Sequence, residues 1–261
     1  GVKFVTNFIV GKTASIEVLR ERGFEAFFVA SGAGLPRFMN IPGENFNGIF
    51  SSNEFLTRVN LMGAAKEDYD TPVSLGKNIA VIGGGNTAMD SVRIAKRLGA
   101  ERAMIVYRRT REEMPARVEE VEHAIDEEIE FMNLNNPVAY IADNKGRVKE
   151  MVLQKMELGE PDDSGRRRPV PIEGSEYNVP VDVVIVAVGV SPNPLIPASV
   201  KGLDTTRWGT IKVNDDFQSS IEDIFAGGDI VRGGATVILA MGDGRDAATG
   251  MDKYIKNKIK K

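Results

Sequence analysis

The residues best equipped for chemistry stand together in Gly83-Gly84-Gly85-Asn86-Thr87-Ala88, and the chemistry they suit is the binding of a phosphate. An apolar, β-branched run that does not alternate, Ile79 to Ile82, leads into them and predicts a fully buried parallel strand. Beyond them Ala88, Met89, Val92, Ala95 and Leu98 recur at three- and four-residue spacing, which predicts a helix ended by Gly99. Strand, tight turn and helix N-terminus together make a phosphate cradle. Gly83 permits the turn, Gly85 lets the backbone approach a pyrophosphate, and small Ala88 lets helix and strand pack closely. The free amides of the first helical turn, at Asn86 and Thr87, then face the anion together with the positive end of the helix dipole. An ordinary glycine turn is the competing reading, and the flanking strand and helix tell against it.

The next strand speaks to which dinucleotide is bound. Ala103 to Tyr107 is apolar and ends about twenty residues past the glycines, where an NAD-binding unit presents an acid to the ribose 2′-hydroxyl. This corner reads Tyr107-Arg108-Arg109-Thr110-Arg111, with no carboxylate before Glu112. Guanidiniums suit a 2′-phosphate, because they offer fixed, bidentate donors and stay charged. Arg108 and Arg109 are the expected ligands, Arg117 a more distant third, and NADP(H) is favoured over NAD(H). A solvated basic loop is the alternative.

Several function classes fall away on composition. A net charge of −4, with no basic stripe interleaved with aromatics, argues against a nucleic-acid surface. No apolar run approaches the roughly twenty residues of a membrane span, and no signal-peptide pattern opens the chain. There are no cysteines, so these 261 residues hold no disulfide, no thiolate-held iron–sulfur cluster and no redox cysteine pair. A disulfide reductase needs that pair. A hydrophobic content of 42% and a charged content of 27% are those of a globular protein, and a cytoplasmic location is expected.

The elements that must position the loop read as follows along the chain. Val2 to Val5 is strand-like, Ile16 to Arg22 a short helix or turn, and Glu25 to Ala30 a buried run ending in Ser31-Gly32-Ala33-Gly34. Residues 35–76 look like a connection, with a turn at Ile41-Pro42-Gly43-Glu44, a helix from Asn53 to Leu61 and a polar linker from Lys66 to Pro72. Pro115 suits the first position of a helix running to about Glu128, with Val118, Val121 and Ile125 on one face and His123 an ordinary surface residue. Ile129 to Met132 is a strand; Pro137 to Ala142 and Val148 to Met156 flank a hairpin turn at Asp143-Asn144-Lys145-Gly146. Arg166-Arg167-Arg168, between Asp163-Ser164-Gly165 and Pro169, reads as a solvated loop. Val181 to Val188 is a long buried strand ending at Gly189, which is counted with the cofactor-binding residues. Ile221 to Asp229 is a short strand followed by Gly227, Gly228 and an acid able to accept bonds from a polyol. A helix from about Ala235 to Ile255 follows, with Val237, Ile238, Met241, Ala248 and Met251 broadly on one side; its amides suit the negative pyrimidine end of a flavin. A turn with a capping aspartate is the plainer reading of that motif.

A weak internal repeat pairs the strand endings at Val29-Ala30-Ser31-Gly32 and Val186-Ala187-Val188-Gly189, and only the second has a glycine loop upstream of it. The chain is therefore expected to start in the middle of a dinucleotide domain.

The stretches Gly83 to Asp90, Val106 to Thr110, Glu113 to Arg117 and Phe225 to Asp229, with Gly34 to Glu44 and Asn53 to Met62, resemble the glutamate synthase small (β) subunit group of flavoproteins. They are similar as well to the large subunit of NADH-dependent ferredoxin:NADP oxidoreductase. The resemblance covers nearly the whole chain. It implies an α/β, two-dinucleotide-binding-domain flavoprotein fold: a complete Rossmann-like NADP(H) domain at residues 72–190, inserted in an incomplete FAD-type domain of residues 1–71 and 191–261. Gly228 and Asp229 would then touch the pyrophosphate–ribityl region of FAD, and Ala235, Thr236 and Val237 its isoalloxazine. The implied activity is hydride transfer between nicotinamide and flavin, which the cofactors carry and for which no catalytic side chain is assigned. The implied partners are an iron–sulfur and FAD-loop segment upstream and a second subunit of an electron-transfer complex. Neither the cysteine-rich segment nor the FAD glycine loop of that group lies in this sequence. The chain is thus expected to be a C-terminal portion holding little or no FAD; a fragment that binds NADP(H) and catalyses nothing is the alternative.

Overall fold

The computed structural model describes residues 1–162 and 165–260, so Asp163 and Ser164 of the expected basic loop lie outside the described residues. The chain divides into two compact units, Gly1–Leu35 with Val190–Lys261, and Pro36–Gly189. It passes through α1 (Ile16–Glu21) and β1 (Phe27–Val29) and reaches the second unit at β2 (Leu35–Pro36). The first boundary therefore falls at 35/36, not at 71/72. Residues 36–71 carry β3 (Ile49–Ser51), which is too short to show a period but pairs in parallel with a strand near residue 185. The expected connecting region is part of the inserted unit's sheet.

Ser51 caps α2 (Ser52–Leu56), its hydroxyl accepting the Glu54 N–H, and the helix runs on as a π turn over Thr57–Leu61. Then come β4 (Asn78–Ile82), α3 (Asn86–Arg97), β5 (Arg102–Tyr107), α4 (Val118–Asp126), β6 (Glu130–Asn133), β7 (Asn135–Ala142), β8 (Val148–Pro161), β9 (Arg167–Pro171), β10 (Tyr177–Pro180) and β11 (Val183–Val186). A parallel sheet orders these as β3-β11-β4-β5-β6. Its strands do not alternate in sequence because both faces are covered. Ile79 and Val81 pack with Met89, Val92 and Val121 from the helices, while Ala80 and Ile82 pack with Met151 and Leu153 from an antiparallel layer. That second layer is β10-β8-β7, with β9 also on β8, and Asp143 closes the β7–β8 turn by accepting the amides of Lys145 and Arg147.

Three expectations about this unit change. β11 spans Val183–Val186 rather than 181–188. α4 starts at Val118, because Ala116 and Arg117 are drawn into extended bonds elsewhere, and it buries Val121 and Ala124 while Val118 and Ile125 stay exposed. Arg167 and Arg168 lie in β9, not in a solvated loop.

The other unit resumes at β12 (Val190–Ser191) and holds α5 (Leu195–Ser199), β13 (Ile224–Ala226), α6 (Asp229–Arg232) and α7 (Val237–Ile259). β1 and β13 pair in parallel, Phe27 beside Ile224, over a core of Ile16, Val29, Ile211, Ile224 and Ile230. Arg20 braces the pair by a fork to Asp223 at 2.7 and 2.8 Å. Val2 to Val5 forms no strand, and its apolar side chains are exposed. On α7 the buried stripe is Asp243, Ala247 and Gly250, while Val237, Ile238 and Met241 point to solvent, so the expected apolar face is not the packed one.

Candidate functional site

The glycine turn joins β4 to α3 as its spacing requires. Gly83 has φ +139°, and a Cβ there would run into the Ala187 carbonyl oxygen. A Cβ on Gly84 would stand 2.7 Å from the Tyr107 ring, so the loop and the end of β5 are in close touch. Gly85 caps the helix without a side chain, and a Cβ there would meet only Pro115 Cγ, at 4.0 Å; the space over it is open to a ligand. Ala88 is wholly buried under β4 and β5. The amides of Gly85, Asn86 and Thr87 have no acceptor among the described residues, whereas those of Ala88 and Met89 bond to the Gly85 carbonyl. Unsatisfied amides at the positive end of a twelve-residue helix are a ready anion site.

A short strap lies beside this cradle. The Ala116 amide donates to the Gly84 carbonyl at 3.1 Å, and the Arg117 amide donates to Asn86 Oδ1 at 2.8 Å. Asn86 therefore uses its side chain within the protein and leaves its backbone N–H free. The Arg117 side chain is exposed and bridges to Glu120 at 2.7 Å.

The corner after β5 separates the two arginines. Arg108 is exposed and makes no hydrogen bond or ion pair among the described residues. Desolvation, then the neighbouring Arg109 charge, draws its pKa below the ordinary arginine value, so a bound anion would relieve it. Arg109 is only 4% exposed; it donates to Asp162 Oδ2 at 2.5 Å and to the Arg167 carbonyl at 2.6 Å. The Arg109 guanidinium, expected to act beside Arg108, is thus engaged by Arg167 of β9 and by Asp162, an acid just past β8 and far off in sequence.

Sequence reasoning also missed Glu113. Thr110 and Glu113 form a capping box: Glu113 Oε2 takes both the amide and the hydroxyl of Thr110, while Oε1 takes Arg167 at 2.6 Å. Its pKa is held low, first by Thr110 and then, against the cost of burial, by Arg167. The T-x-x-E spacing was the available signal.

In the other unit, β13 runs into Gly227 and Gly228. Gly228 has φ +73° and opens α6. Asp229 accepts the Ala235 amide at 3.1 Å, as a capping aspartate does, and so ties the Gly233-Gly234 turn. Thr236 caps α7 by accepting the Leu239 amide. Val237 and Ile238 follow at 76% and 80% exposure, an exposed apolar surface at a helix N-terminus. Asp243, unmarked by the sequence reading, holds this loop: it is 1% exposed, accepts the Gly228 amide at 2.9 Å and is gripped by Arg232 at 2.6 Å. Its offset of four and seven residues from Ala247 and Gly250 put it on the buried stripe. Gly189, with φ +106°, is exposed at the end of its unit, and its carbonyl accepts the Arg37 amide.

No helix among the described residues is long and apolar enough to cross a membrane, and no cluster of His, Cys, Asp or Glu there could hold a metal. A sequence model of the pyridine nucleotide-disulphide oxidoreductase family matches residues 5–244. The glutamate synthase (NADPH) small chain of Azospirillum brasilense is 39% identical over 99% of this chain and 54% of its own length. The NADP(+)-dependent formate dehydrogenase subunit beta of Moorella thermoacetica is 39% identical over 98% of this chain and 35% of its own. This chain thus spans about half or less of these relatives. Mycobacterium tuberculosis FprA, solved in complex with NADPH, superposes with a TM-score of 0.78 over 97% of this chain and 68% of that one, at 22% identity. The α/β, two-domain oxidoreductase fold is therefore shared with FprA.

Proposed function

The chain belongs to the pyridine nucleotide-disulphide oxidoreductase family, and from that premise we propose that it is the NADP(H)-binding portion, with part of the flavin site, of an FAD- and NADP(H)-dependent oxidoreductase subunit of the glutamate synthase small-chain kind. The observation that carries this reading is the pairing of open amides at Gly85, Asn86 and Thr87 with the unpaired Arg108 one strand away. The amides suit the pyrophosphate and Arg108 the 2′-phosphate, and no acid stands at the strand end to take a ribose 2′-hydroxyl. When bound, nicotinamide and flavin supply hydride exchange; the residues of this chain bind and orient them. Gly228, Asp229, Ala235, Thr236 and Val237 would hold flavin, with the amides of α7 toward its electron-rich end.

One relative is named as a subunit and another as a small chain, which supports a role beside a second subunit; an iron–sulfur segment and a cytoplasmic location belong to the same proposal. The test is calorimetric titration of NADPH and NADH. A charge-assisted bond to the 2′-phosphate is worth about 1.5–3 kcal/mol, so NADPH should bind about tenfold or more tighter than NADH. Arg108→Ala should remove that preference with little change for NADH. Equal wild-type affinities, or a preference that survives Arg108→Ala, would refute the assignment. One glycine cradle is found among the described residues, so the purified chain should show little flavin absorbance; near-stoichiometric yellow colour would contradict this.

A further inference from the structure

Arg108 is the residue of its corner left unpaired, and both of its chain neighbours are pinned. Tyr107 donates its hydroxyl to the Glu113 carbonyl at 2.8 Å, and Arg109 is fixed to Asp162 and to the Arg167 carbonyl. The loop that follows is closed by Thr110 on Glu113. Glu113 is itself 8% exposed, and its second oxygen is held by both Nε and a terminal nitrogen of Arg167, each at 2.6 Å. Two ion pairs, Arg109–Asp162 and Glu113–Arg167, thus cross from the β5 corner to the same place, the end of the β8–β9 hairpin. There Pro161 is in register with Arg167, and the Asp162 amide donates to the Arg166 carbonyl. The hairpin reaches no glycine of the cradle in any of these bonds.

We propose that Arg167 and Asp162 are positioning residues for nucleotide specificity: through Glu113 and Arg109 the β8–β9 hairpin fixes the backbone from Tyr107 to Glu113, so that Arg108 is presented ready-ordered to a 2′-phosphate. The inference rests on the 2′-phosphate reading of Arg108 given above. Its physical content is preorganisation. An exposed arginine on a free loop would lose much of its contact energy to ordering the loop, and bracing the loop beforehand removes that loss. The two pairs differ in kind. Arg109 is buried, so its removal disturbs the fold; Arg167 is half-exposed and can be changed with the core intact.

The test is a double-mutant cycle on the full chain, reading the ratio of NADH to NADPH dissociation constants. Arg167→Ala should lower that ratio about fivefold, through weaker NADPH binding, while leaving NADH within twofold. Arg167→Lys, which keeps a cation within reach of Glu113, should restore most of the ratio. In an Arg108→Ala background, Arg167→Ala should cost NADPH nothing further, because the hairpin acts through Arg108. Hydrogen exchange of the Arg108 to Glu113 amides should quicken in Arg167→Ala without cofactor. If Arg108→Ala abolishes the preference but Arg167→Ala leaves the ratio unchanged, weakens both cofactors equally, or adds to Arg108→Ala, the positioning role is overturned and the Arg108 reading stands. A wild-type preference that survives Arg108→Ala, or no preference at all, overturns the Arg108 reading itself and the positioning role with it.

Discussion

At the residue scale, two adjacent arginines of the same charge have opposite work, and burial decides which does what. Arg109→Ala would remove the ion pair to Asp162 and the bond to the Arg167 carbonyl, so unfolding in urea should show a loss of about 2 kcal/mol, reduced from the fully buried case because Asp162 is partly exposed. Arg108→Ala should stay within about 0.5 kcal/mol of wild type, since nothing in the protein leans on it. Equal stabilities for the two variants would contradict the buried pairing. The sequence placed both arginines correctly at the strand end. It could not tell them apart, because the partner that engages Arg109 stands 53 positions away, just past the end of β8. Asp243 offers a second test, by pH. Arg232 and the Gly228 amide hold its pKa below the usual carboxylate value. A carboxylate depressed in the folded state stabilises fully above its unfolded pKa of about 3.9 and loses that contribution as pH falls through the folded value. Asp243→Asn should therefore be less stable than wild type at pH 7, and the gap should close on acidification. A gap independent of pH would show that the charge of Asp243 is not what holds the loop.

At the element scale, the strand–turn–helix from Asn78 to Arg97 was legible because everything that specifies it is local: an unbroken apolar strand, glycines, and a helical stripe. Within it the glycines are not equivalent. Gly83→Ala forces an unfavourable positive φ and a clash with the backbone of Ala187, so it should destabilise by more than about 1 kcal/mol. Gly85 has an ordinary φ of −91° and open space above it. Gly85→Ala should leave thermal stability unchanged yet weaken NADPH roughly tenfold or more, because its methyl occupies the approach to the pyrophosphate. Unchanged NADPH affinity in Gly85→Ala would move the phosphate elsewhere. What stayed illegible is where elements bond outside themselves. Pro115 looked like a helix start, but its segment is stretched to give amides to Gly84 and Asn86. β3 was hidden because three residues cannot show a period, and it becomes a strand only by pairing with β11.

At the scale of the whole molecule, each unit has a core of its own. Calorimetry should resolve two unfolding transitions. NADPH in hundredfold excess over its dissociation constant should stabilise the Pro36–Gly189 transition by about 2.7 kcal/mol and leave the other in place. Trp208, the chain's one tryptophan, lies in the other unit, so its fluorescence should follow the transition that NADPH does not move. A single transition, or a fluorescence midpoint that shifts with NADPH, would show the units to be one cooperative body. The glycine loop and the paired strand endings made two units visible in the sequence; the point at which the chain first crosses between them was not, since it falls in a two-residue strand.

The inserted unit enters and leaves at one spot, the Arg37 amide donating to the Gly189 carbonyl at 3.0 Å. A segment whose ends touch can be lifted out or exchanged as a cassette without respacing its host, because the host sees only two adjacent attachment points. Residues 36–189 could thus be replaced by a counterpart of different cofactor preference through two peptide junctions. The same geometry lets residues 36–189 change as one piece while the unit of Gly1–Leu35 and Val190–Lys261 keeps its own core.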